Sequence, residues 1–169
     1  ILHYEAQTTE DVAQIAAAMN RKFMEVAGPG DFVTCFLARL RPEGSIEYVR
    51  AGHDPGVIVR GTGSAELLAD GGAPIGIATG DAYLTSRATL NSGDRLFLYT
   101  DGLHEAASDT ALSFGREQLA DLLVETSGVS PAEQLDDVIK TVASFAGDRG
   151  FDDDVTLLCV WRRTPASIE

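Results

Sequence analysis

No stretch of the 169 residues approaches the roughly 18 consecutive apolar residues of a bilayer-spanning helix. The longest apolar run, Val155 to Trp161, is strand-sized and broken by Thr156. Basic residues are scarce: 13 Lys and Arg stand against 26 Asp and Glu, a formal net charge of −13. Such a chain repels phosphate backbones and anionic lipid surfaces, so neither nucleic acid nor membrane is an expected partner. Cysteine is scarce too. Cys35 and Cys159 make no disulfide framework; each sits in an apolar β-like run and reads as a small buried hydrophobe, which suits a reducing cytoplasm. No basic segment leads into an apolar signal-peptide core. There are no repeats, low-complexity tracts or linkers. The chain starts at Ile1 and not at Met, which leaves room for a segment before it.

What is present is globular composition, 44% hydrophobic and 23% charged. Apolar residues at Val12, Ile15, Met19, Phe23 and Val26 follow helical spacing. They predict a first helix over 9–27, with Thr8 and Asp11 as a capping box and Gly28-Pro29-Gly30 as the stop. From Phe32 the pattern turns to β: strands over 32–40 and 46–51 joined by Arg41-Pro42-Glu43-Gly44, then 57–59, 65–68, 83–90 and 95–99. Helical spacing returns after Gly102. Ser130-Pro131-Ala132-Glu133 predicts a helix start with cap, N1 proline and capping box. The last strand, 155–162, is apolar on both faces and reads as central in a sheet. The order is α+β, helices packed on mainly antiparallel sheets, in one domain over 1–169.

Three short constellations carry polar chemistry. Tyr99-Thr100-Asp101-Gly102 places a carboxylate at a strand end; a plain Asp-Gly turn also accounts for it. Asp152-Asp153-Asp154 precedes the last strand. Adjacent carboxylates repel, and a hard divalent cation with its preference for oxygen ligands would relieve them. A solvated acidic loop is the plainer account. Ala51-Gly52-His53-Asp54-Pro55 presents a histidine as a candidate catalytic group, against a structural turn with the imidazole bonded to backbone. If the strands ending at Tyr99 and starting near Val155 are antiparallel neighbours, the first two constellations share one sheet edge and make part of a metal site.

In order along the chain, Gly52-His53-Asp54-Pro55, Pro74-Ile75-Gly76-Ile77, Gly93-Asp94 through Tyr99-Thr100-Asp101-Gly102-Leu103-His104-Glu105, Phe114-Gly115 and Asp153-Asp154-Val155-Thr156 resemble the C-terminal part of the SpoIIE/RsbU-like branch of the metal-dependent protein serine/threonine phosphatases, the PPM family. The resemblance implies an α-β-β-α sandwich with two Mn²⁺ or Mg²⁺ ions at one edge and in-line attack of an activated water on a phosphoserine or phosphothreonine. It implies Asp101 and Asp153 as metal ligands, with Asp154 as the register alternative, and assigns no settled role to His53. The implied substrate is a phosphorylated anti-anti-sigma factor of a partner-switching system, in the cytoplasm. The alternative is a non-catalytic module of the same fold that binds a sigma-factor regulator. The family's Gly-Asp-x-x-Asp strand and Asp-x-x-Gly-His-Gly loop have no counterpart: Gly30-Asp31, Gly80-Asp81, Gly93-Asp94 and Gly147-Asp148 all lack the second Asp. The domain is therefore expected to be N-terminally incomplete. The sheet edge exposed by such a loss would offer a homodimer contact.

Overall fold

The computed structural model describes residues 2–77 and 83–163. Gly80-Asp81 and the end of the expected 70–80 loop lie outside the described residues. Internal contacts divide the chain into two compact units, Ile1–Pro55 with Ala69–Thr89, and Gly56–Leu68 with Leu90–Glu169.

The first unit contains helices α1 (Leu2–Thr8) and α2 (Val12–Val26) and strands β1 (Cys35–Leu40), β2 (Ser45–Ala51) and β5 (Ser86–Thr89). The helix expected over 9–27 is α2, and a further helix, α1, precedes it. Thr9 Oγ1 accepts from the Asp11 N–H at 3.1 Å, and Asp11 Oδ1 accepts from the Ala13 N–H at 2.9 Å, so Asp11, not Thr8, caps α2. β1 and β2 form the expected antiparallel hairpin, Leu40 opposite Ile46 and Cys35 opposite Ala51, with β5 on the other side of β2. β1 begins three residues later than expected because Val33 pairs with Ile75 instead. Val12 and Ala16 of α2 pack with Val49, Ala51, Ile75 and Tyr83. Buried Asn20 fixes the 74–77 turn: its Oδ1 accepts from the Gly76 N–H at 2.7 Å and from the Tyr83 hydroxyl at 3.5 Å. Gly76 has φ +98°, and a Cβ there would lie 2.8 Å from both the Asp31 carbonyl and the Phe23 ring, so glycine is required.

The second unit contains β3 (Gly56–Val59), β4 (Ala65–Leu68), β6 (Arg95–Tyr99) and β7 (Leu157–Trp161), in the order β4-β3-β6-β7, all antiparallel. Its helices are α3 (Asp101–His104), α4 (Arg116–Glu125) and α5 (Pro131–Ala146). The capping box expected at Ser130 is present in both directions, with Pro131 opening α5. Phe97, Leu103, Leu119, Leu123, Val138 and Val142 are among the side chains that close this core. Arg95, nearly buried, donates to Gln134 and to the Val129 carbonyl, while Gln134 donates to the Leu123 carbonyl, tying β6 to the α4–α5 corner. β7 was expected at the centre of a sheet; among the described residues it lies at the edge. One apolar face is accounted for: Leu157 and Cys159 pack on the core, and the partly exposed Trp161 ring lies 5.7 and 5.4 Å from the guanidinium groups of Arg95 and Arg163, while Leu158 on the other face is exposed. Burial pushes both thiols up, Cys35 and Cys159 alike, with Arg95 partly opposing it at Cys159, so neither is poised as a nucleophile.

Buried Asp94 closes two turns at once. It accepts from the Asn91 N–H at 2.8 Å, the Gly61 N–H at 3.0 Å and Arg60 Nη1 at 2.6 Å. Burial alone would raise its pKa, but the bonds from Gly61, Arg60 and Asn91 outweigh that and hold it below the usual carboxylate value. A depressed folded-state pKa contributes stability that is present above the unfolded value of about 3.9 and is lost as pH falls through the folded value. Asp94→Asn is therefore expected to cost about 2 kcal/mol near pH 7. In urea unfolding of the two proteins that gap should narrow below about pH 4; an equal gap at pH 7 and pH 3 would show that the charge contributes nothing.

Candidate metal centre

β6 and β7 are paired in the antiparallel register that sets Tyr99 opposite Leu157. The residues that follow Tyr99 and those that precede Leu157 therefore leave the sheet at the same end. The pairing continues past the ladder: the Thr100 N–H donates to the Thr156 carbonyl at 3.1 Å. The Thr100 hydroxyl accepts from the Thr156 N–H at 2.8 Å and donates to the Asp154 carbonyl at 2.9 Å. At Gly102 the two segments touch backbone to backbone. A Cβ there would sit 2.9 Å from the Asp154 carbonyl oxygen and 3.1 Å from that of Asp153. Leu103 and His104 anchor the turn inward, His104 edge-on to the Tyr99 ring at 5.9 Å.

The acidic side chains on this rim have distinct surroundings. Asp101 and Asp153 are exposed, and each is oriented through one oxygen: Asp101 Oδ1 accepts from the Gly102 N–H at 3.0 Å, and Asp153 Oδ1 accepts from the Asp154 N–H at 2.7 Å. Among the described residues no hydrogen bond or ion pair engages the second oxygen of either. Asp152 is engaged elsewhere, its carboxylate paired with Arg149 at 2.7 Å. An arginine thus answers part of the triplet's repulsion, for which the sequence offered a cation or a solvated acidic loop. Asp154 contributes its carbonyl to the Thr100 bond.

His53 belongs to the first unit and Asp101 and Asp153 to the second. Half-buried, His53 has Nδ1 3.0 Å from the Asp54 carbonyl and its ring edge-on to Phe36, while its own carbonyl accepts from Arg50 at 2.8 Å. Those contacts are those of the structural turn.

Carboxylate oxygens are the donors a hard divalent cation takes, and the two that leave this sheet end are at most a partial ligand set. Among the described residues no group of three or more His, Cys, Asp and Glu side chains is gathered as a complete site. Sequence reasoning gave Thr100 no task and missed Arg149. The only signal for Thr100 was its place directly before Asp101.

Residues 1–163 match the protein family described as Stage II sporulation protein E (SpoIIE). Protein IcfG of Synechocystis sp. is 31% identical over 121 residues, which is 70% of this chain and 19% of that protein. Among solved structures, the RsbU and RsbW domains of Rv1364c from Mycobacterium tuberculosis match with a TM-score of 0.76 and 28% identity, over 97% of this chain and 45% of that one. The SiaA PP2C domain of Pseudomonas aeruginosa matches with a TM-score of 0.80 and 22% identity, over 93% of this chain and 62% of that one. The chain thus spans about a fifth of the curated relative and less than two thirds of either solved chain.

Proposed function

Because the chain belongs to the stage II sporulation protein E (SpoIIE) family, we propose that it is part of a metal-dependent serine/threonine phosphoprotein phosphatase acting on a phosphorylated regulator such as an anti-anti-sigma factor. The observation that carries this reading is the β6–β7 register, which brings the Asp101 and Asp153 segments to one rim of a phosphatase-type fold. In this reading Asp101 and Asp153 hold a Mn²⁺ or Mg²⁺ ion, with Asp154 as the alternative to Asp153. When bound, such a cation polarises a phosphoryl oxygen and lowers the pKa of a water. Asp152 stays with Arg149, and His53 keeps its turn.

Residues 1–169 form, in the same reading, an N-terminally incomplete portion of the domain. The lack of the Gly-Asp-x-x-Asp and Asp-x-x-Gly-His-Gly motifs supports this, because the bridging carboxylate and the ligands of a second cation then come from residues outside the chain. A solved structure that contains the RsbU and RsbW domains of one protein supports a phosphoprotein of a regulatory circuit as the substrate. Among the described residues no helix is long and apolar enough to cross a membrane, and the cytoplasm is the proposed site of action.

The test is to incubate a phosphoserine-bearing anti-anti-sigma protein with Mn²⁺ and a protein that joins this chain to a segment carrying both missing motifs. Release of inorganic phosphate supports the phosphatase. Retention of the phosphoprotein in a stable complex, with no release, would replace it with a non-catalytic binding module.

A further inference from the structure

We infer that Thr100 is a positioning residue, whose hydroxyl clamps the strand end bearing Asp101 to the one bearing Asp153 and so presets the spacing of the two carboxylates for a divalent cation. The inference rests on the proposed reading of Asp101 and Asp153 as ligands.

The last ladder pair is Tyr99 with Leu157. Beyond it the two segments carry like charges, Asp101 on one side and Asp153 and Asp154 on the other, and like charges at short range push apart. Three hydrogen bonds from Thr100 oppose this. The backbone N–H to the Thr156 carbonyl continues the strand, and any residue but proline supplies it. The other two need a side chain that donates and accepts at a single atom: Oγ1 takes the Thr156 N–H and gives its proton to the Asp154 carbonyl. A hydroxyl does both; the isosteric valine does neither. The bonds reach across 54 and 56 residues of sequence, so they hold two separate segments and not one local turn. The Asp154 carbonyl that receives the hydroxyl proton is also the atom a Cβ at Gly102 would strike first. The same contact thus fixes Asp101 from its C-terminal side through Gly102, and from its N-terminal side through Thr100. Groups that orient metal ligands without touching the metal typically govern affinity by about 10- to 100-fold when removed. Preset ligands spare a cation the cost of ordering them.

The experiment compares the wild-type chain with Thr100→Val and Thr100→Ser. Mn²⁺ is titrated into each ¹⁵N-labelled protein, and the concentration that half-broadens the Gly102 and Asp154 amide signals is read. Wild type and Thr100→Ser should respond at similar concentrations, and Thr100→Val should need about 10-fold more Mn²⁺, with its circular dichroism unchanged. Rescue by serine assigns the effect to the hydroxyl, and a Mn²⁺ shift with unchanged circular dichroism separates it from a loss of fold. If Thr100→Val responds like wild type, the clamp is overturned and the carboxylate reading stands. If wild type shows no selective broadening, the carboxylate reading falls and the clamp falls with it. Should the valine protein fail to fold, amide exchange in wild type decides. A Thr156 N–H protected like those of β7 supports the clamp, and one that exchanges as freely as that of Asp152 overturns it.

Discussion

Residues 1–169 alone are expected to release phosphate from a phosphoserine protein at least about 100-fold more slowly than a protein that joins them to the two missing motifs. The family resemblance implies a pair of cations, and the chain's own rim offers Asp101 and Asp153, ligands enough for one. Misplacing a reacting group by about 1 Å can already cost about 100-fold, and loss of a bridging carboxylate displaces more than that. Raising Mn²⁺ to millimolar levels should not close the gap, because concentration does not replace a missing ligand. The measurement is initial rates of phosphate release by both proteins at equal concentration. Equal rates would mean that the metals are held by carboxylates other than those named.

The second large effect is at Gly102. A single added methyl group would meet backbone oxygen at 2.9 Å, and backbone cannot rotate away as a side-chain tip does. Gly102→Ala is expected to destabilise the fold by about 2 kcal/mol, within the range for overpacked sites. For a chain of this length that lowers Tm by about 4 to 8 °C. A glycine with open space around it supplies the control: a Cβ at Gly128 meets nothing within 4 Å, and Gly128→Ala should stay within about 0.5 kcal/mol of wild type. Thermal unfolding of the three proteins reads both. A Gly102→Ala protein as stable as the control would show that the Asp101 and Asp153 segments are not in contact.

Much of this was legible in the sequence where the signal is local. Ser130-Pro131-Ala132-Glu133 carries the whole start of α5 in four residues, and β6 matches the apolar run from Arg95 to Tyr99 at both ends. Two apolar strands that each abut an acidic segment were enough to suggest neighbours, and the β6–β7 register bears that out. What stayed hidden depends on partners that local pattern does not encode. Helix α1 was not expected, and α2 starts three residues later than expected because Thr9 and Asp11 turn their side chains onto nearby backbone. β7, apolar on both faces, signalled a central strand, but among the described residues it is an edge strand on which Leu158 and Trp161 stay exposed. Arg149 was three residues from Asp152 and went unremarked, since an acidic triplet draws attention to a cation and away from a neighbouring guanidinium. Thr100 is the plainest case. A threonine before an aspartate is ordinary in sequence; its role exists only once Asp154 and Thr156 are folded against it.

That Asp101 and Asp153 share one cation is tested most directly by asking whether removing one carboxylate frees the other segment from the metal. Mn²⁺ is titrated into ¹⁵N-labelled wild-type and Asp101→Asn proteins, and broadening is followed at the Asp153 and Asp154 amides. Those two residues are distant from position 101 in sequence but lie in the segment that leads into the strand beside it. A shared ion predicts selective broadening there in wild type and its loss in Asp101→Asn; undiminished broadening in Asp101→Asn would contradict it.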